Sequence, residues 1–178
     1  MFARLSSLFA PRPDPRVAML PLYDAIVAAA RASHWYRAGG VPDTIDGRFE
    51  MVAALLSLTI ERLDNLPDMK SEMALLAETF VEDMDGQLRQ SGIGDVVVGK
   101  HIGRMMGALG GRFSAYRAAF EADGDLGATM VRNVYRGEAP TPEALAHSSA
   151  ALTAFRARIA QRDADALLAG DIEGSDAA

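Results

Sequence analysis

Between Met69 and Leu88 the apolar residues Met69, Met73, Leu76, Phe80, Met84 and Leu88 recur at steps of three and four. That spacing puts all six on one side of a helix; a strand would repeat its face every second residue. The same period returns in Phe49, Val52, Leu56, Ile60 and Leu63. It returns again in Val98, Ile102, Met105, Leu109, Phe113, Tyr116 and Phe120. Each stripe needs a partner to cover it. The expected fold is therefore all-α, a single-domain helical bundle of about six helices.

Breakers and caps divide the chain. Pro11, Pro13 and Pro15 separate a start, residues 1–13, from a helix expected over 14–33 with Val17, Leu20, Ile26 and Val27 inward. The start is too interrupted for a secretory signal, but as a helix it would align Phe2, Leu5, Leu8 and Phe9 as a weak membrane-surface anchor. Gly39-Gly40 and Pro42 mark a loop, and Thr44 or Asp46 caps the second helix. Asp68 is expected to cap the third, which Gly92 and Gly94 end. Asp95 caps the fourth and Asp123-Gly124-Asp125 breaks it. A short helix over 126–135 follows. Thr141-Pro142 opens the last one, carrying Leu145, Leu152, Phe155, Ile159 and Leu167 as far as Gly170. Residues 14–170 thus form the helical domain, and 171–178 an acidic tail expected to be disordered.

No chemistry assembles from these residues. Glu78, Glu82 and Asp85 line one helix face, but no Glu-x-x-His pair accompanies them, so a solvated acidic face is expected rather than a di-metal site. His34, His101 and His147 lie beside no nucleophile motif. There is no phosphate-binding glycine loop, no dinucleotide fingerprint and no cysteine. No cofactor, no metal and no enzymatic activity are expected. A net charge of −6 also argues against nucleic acid as a specific partner.

One helix is unusual. Gly99, Gly103, Gly107 and Gly111 recur every four residues, and Gly110 adds a fifth. An interior glycine costs about 0.8–1.0 kcal/mol relative to alanine. The expected offset is close approach of a neighbouring helix within the protein; the functional alternative is a shallow groove that receives a partner's helix. Arg89, Lys100, Arg104 and Arg112 form a basic cluster beside it. Trp35, Tyr36 and Tyr116 join these as candidate anchors, since aromatic and arginine side chains often dominate binding energy. An apolar pocket beside the glycines, holding a lipid or quinone, is the rival reading.

Several segments in a fixed order carry a family resemblance: Trp35-Tyr36, the run from Pro42 to Glu50, Phe80-Val81-Glu82-Asp83-Met84-Asp85, Leu88-Arg89, the run from Gly92 to Lys100, Gly111-Arg112 and Tyr116. Together they resemble the ubiquinol–cytochrome c chaperone family. The resemblance implies a non-enzymatic assembly factor for respiratory complex III that binds cytochrome b, or another subunit of that complex. It also implies a small accessory subunit as partner, and a cytoplasmic location peripheral on the inner membrane, as suits a bacterial relative. The motif residues Arg48, Asp83, Asp85, Asp95 and Arg112 are expected to form buried ion pairs that fix the helices.

Overall fold

The computed structural model describes residues 14–90 and 98–173, with side-chain environments for 14–86 and 107–173. The anchor at 1–13, the Gly92–Gly94 stop, the Asp95 cap, its ion pair and the last five residues of the tail lie outside the described residues. Within them all regular structure is helical. A 3₁₀ turn, Pro15–Met19, leads into α1 (Leu20–Ala30), α2 (Ser33–Arg37), α3 (Ile45–Asp64) and α4 (Lys70–Gln90). Then come α5 (Val98–Ala119), α6 (Leu126–Asn133), α7 (Pro142–Ala160) and α8 (Ala164–Leu168).

Helix α3 is the axle of the bundle. Every residue from Glu50 to Glu61 is buried, and α1, α4, α5 and α7 all pack against it. Its middle, Met51 to Ile60, contains no charge, as a helix covered on every side requires. The polar residues it carries inward are satisfied. Ser57 Oγ donates to the Ala53 carbonyl at 2.6 Å and Thr59 Oγ1 to the Leu55 carbonyl at 2.9 Å. Thr44 caps its start, accepting from the Gly47 amide at 3.1 Å. Asp125, Thr141 and Asp163 cap α6, α7 and α8 in the same way.

Two expected helices differ. The first begins as a 3₁₀ turn, which changes the phase of its side chains. Val17 and Leu20 face solvent, while Met19, Leu22, Tyr23, Ile26 and Ala30 face the core. The last is two helices, since Asp163 caps a new one. Gly170, at φ +85°, ends α8 in a Schellman turn: the Asp171 amide reaches the Ala166 carbonyl and the Gly170 amide that of Leu167. Packing continues to Ile172, which is buried although its neighbours are acidic and small. Asp68 sits at φ +59°, two residues before α4 begins, in a tight turn rather than as the residue next to the helix.

Candidate partner-binding surface

Helix α2 folds back against the end of α1. Trp35 is buried and its Nε1 donates to the Ala29 carbonyl at 2.9 Å; the Tyr36 hydroxyl donates to the Ala30 carbonyl at 2.8 Å. Both bonds go to carbonyls in the last turn of α1, that of Ala29 also accepting from the Ala32 amide at 3.2 Å. Trp35 is therefore a core residue and not a surface anchor. Tyr36 is half-buried, with its hydroxyl already engaged. Tyr116, at 1% exposure, is likewise interior. Burial, and then the nearby Glu50 carboxylate, push its phenol well above the ordinary tyrosine range.

Helix α5 has two faces from Gly107 onward. At 100° per residue Leu109, Arg112, Phe113 and Tyr116 fall together and point at α3. Leu109 and Tyr116 are buried there, and Phe113 packs against the core. Arg112 lies among them, not at a free edge. Its Nε donates to Glu50 Oε2 at 2.6 Å, its Nη2 to Glu50 Oε1, and its Nη1 to the Ala108 carbonyl at 3.1 Å. The guanidinium also stands 5.5 Å from the centre of the Phe49 ring. Arg112 is thus a mostly covered structural cation whose partner is Glu50.

The opposite face is bare. Gly107, Gly110, Gly111 and Ser114 are all exposed and fall within about 100° of one another by helical register. A Cβ built at Gly107, Gly110 or Gly111 meets no atom within 4 Å. Among the described residues no neighbouring helix approaches these three glycines closely, so close packing does not account for them there. Gly99 and Gly103 lie in the first turns of α5. The side chains of Lys100 and Arg104, and that of Arg89 in α4, lie outside the described residues.

The other expected ion-pair residues are distributed differently from the expectation. Arg48 pairs with Asp43 at 2.6 Å on the surface, both more than half exposed, rather than in the core. Asp83 accepts from the buried Tyr23 hydroxyl at 2.7 Å, joining α4 to α1. Asp85 is half-buried in α4. Glu82 is exposed and pairs with Arg16 at 2.7 Å. A second pair to the axle helix is Glu61 with Arg156 of α7 at 2.8 Å. Sequence reasoning missed Glu50 and Glu61 as pair members. The signal was their position at the two ends of an apolar stretch, where a carboxylate needs a cation.

His34 and His147 meet across α2 and α7, with Nδ1 and Nε2 3.2 Å apart. Burial, then the neighbouring His147 and Arg158, hold His34 below the ordinary histidine value. Neither ring nitrogen of this pair faces a carboxylate at hydrogen-bond distance, so no acid–base dyad forms from it.

A family profile described as Ubiquinol-cytochrome C chaperone matches residues 37–174 of the chain. Among solved structures, the crystal structure of the Cbp3 homolog from Brucella abortus is similar, with 33% sequence identity, 87% of each chain covered and a TM-score of 0.74. No curated protein matches.

Proposed function

The chain belongs to the ubiquinol-cytochrome C chaperone family, and from that premise we propose that it is a non-enzymatic assembly chaperone for complex III that holds cytochrome b. The bare face of α5 is the surface we assign to the client. The observation that carries this assignment is the open space over Gly107, Gly110 and Gly111. Three exposed glycines cost the helix about 2–3 kcal/mol in propensity, and no contact among the described residues offsets it. A partner's helix would, because small residues let two helix backbones approach closely. Cytochrome b helices are apolar and need cover until they are built into the complex. Gly99, Gly103 and the Arg89, Lys100 and Arg104 side chains would extend the surface, the cations pairing with client carboxylates.

No helix among the described residues is long and apolar enough to cross a membrane, so contact with the inner membrane would be peripheral. The test is a deletion strain and a tagged full-length protein. Loss of cytochrome b in the deletion strain, with unrelated membrane enzymes retained, and its recovery with the tagged protein from membranes are the expected results. A small accessory subunit would appear in the same pull-down. Normal cytochrome b levels and no bound subunit of complex III would refute the proposal.

A further inference from the structure

Away from α5, the chain turns back on itself between the end of α1 and the start of α3 and encloses a cleft of about 350 Å3. Arg31, Arg37 and Arg48 line it with Ser33, Tyr36 and Asp43. Only Arg48 of the three has a carboxylate, Asp43. Arg31 and Arg37 are exposed and have no ion pair among the described residues. Elsewhere Arg117, Arg136 and Arg156 each pair with an acid. A protein with a net charge of −6 does not lack acids to place there. Three guanidinium groups around one cleft outnumber its single carboxylate, Asp43, and their planar forks match phosphate oxygens.

A second, independent observation indicates where the phosphate comes from. Ile45, the first residue of α3, is 80% exposed and stands three residues before Arg48, on the same side of the helix. A soluble anion has no use for an exposed isoleucine beside its site. A lipid surface does, since apolar side chains enter the acyl boundary next to cations that hold the headgroups. Tyr36, half-buried at the cleft with an apolar ring and an engaged hydroxyl, suits the same interface.

We propose that the Arg31–Arg37–Arg48 cleft seats the phosphate of an anionic lipid headgroup while Ile45 enters the bilayer interface beside it. The proposal rests on the peripheral location argued above, but it uses a surface on α1 to α3 rather than the client face of α5. The two therefore fail separately: cytochrome b capture reports on α5, and vesicle binding on the cleft.

The experiment is co-sedimentation of the full chain with phosphatidylglycerol–phosphatidylcholine vesicles, with phosphatidylcholine alone, and with inorganic phosphate added at constant ionic strength. The wild type is expected to bind only the anionic vesicles. Removing a juxtamembrane arginine lowers partitioning roughly 5-fold, so Arg31→Gln with Arg37→Gln should lower it on the order of 25-fold. Ile45→Ser should weaken binding without any change in charge. Lys70→Gln with Arg132→Gln removes as much charge from exposed residues outside the cleft and should matter far less. Equal binding by the Arg31/Arg37 variant and the wild type would overturn the proposal, as would equal losses in both double variants. Saturable uptake of inorganic phosphate without retention on vesicles would overturn it too, by assigning the cleft to a free anion.

Discussion

Glu50 and Arg112, 62 residues apart in the chain, close on each other in a two-point pair that ties α5 to the buried axle helix α3. Both side chains are nearly removed from solvent, at 10% and 17% exposure. Each charge was taken out of water at a cost that the other chiefly offsets.

Removing one partner therefore leaves a buried charge with no counter-ion. Arg112→Met or Glu50→Leu should each lower unfolding free energy by about 3–5 kcal/mol. The double variant should recover much of that loss, because two apolar side chains leave nothing unpaired. Urea denaturation of the four proteins as a double-mutant cycle measures the coupling. Additive losses would show that the pair is not a unit.

Gly39 offers the opposite case to the glycines of α5. A Cβ there would collide with Ser148 Oγ and stand 2.5 Å from the Trp35 carbonyl. The Gly39 carbonyl also accepts from the buried Tyr135 hydroxyl at 2.5 Å and from Ser148 Oγ at 3.2 Å. Gly39→Ala should destabilise by about 1–3 kcal/mol through overpacking, seen as a lower thermal midpoint. Ser148→Ala would relieve the side-chain clash but not the one with the Trp35 backbone, so it should rescue only in part.

The elements were legible where the stripes were long. The Leu76, Phe80 and Met84 stripe is buried as its spacing requires, and Thr44, Thr141 and Pro142 stand where caps were expected. What was not legible depends on partners distant in sequence. Arg112 reads both as a member of a surface cluster and as one side of an ion pair, and nothing near it announces that the partner is Glu50. Trp35 carries the polar tip and broad ring of a binding anchor, and only the fold-back of α2 shows the tip meeting Ala29. A run of glycines reads the same whether a helix covers it or solvent does; the neighbours decide. The 3₁₀ start of the first helix shifted Val17 and Leu20 outward, a phase change that periodicity alone does not reveal.

His34, packed against His147, makes stability depend on pH with a definite sign. At neutral pH one ring donates and the other accepts across 3.2 Å. Protonating His34 puts a positive charge beside His147 and near Arg158, while Glu173 opposes this only in part. Burial leads in holding the folded His34 value below 6.5, so the unfolded chain binds more protons as pH falls. The contribution is fully present above pH 6.5 and is lost as pH drops through the lowered folded value. Denaturation midpoints should fall over that interval, and His147→Gln, which removes a neighbour that helps hold His34 down, should flatten the fall. An unchanged slope in that variant would place the acid sensitivity elsewhere.

The glycine face of α5 separates folding from binding in one series. Since an added Cβ at Gly107, Gly110 or Gly111 meets nothing, alanine at each should stabilise the protein by about 0.8–1.0 kcal/mol through helix propensity alone. Leucine at Gly107 should also leave the fold intact, because its side chain projects into open space. It would, however, stand in the path of an approaching helix and hold two backbones apart. The expected outcome is a thermal midpoint equal to or above that of the parent, together with loss of cytochrome b from the pull-down. A destabilised Gly107→Leu would mean that some part of the chain packs on this face after all. A stable variant that still recovers cytochrome b would move the client surface off the glycines, leaving their exposure with no structural cause.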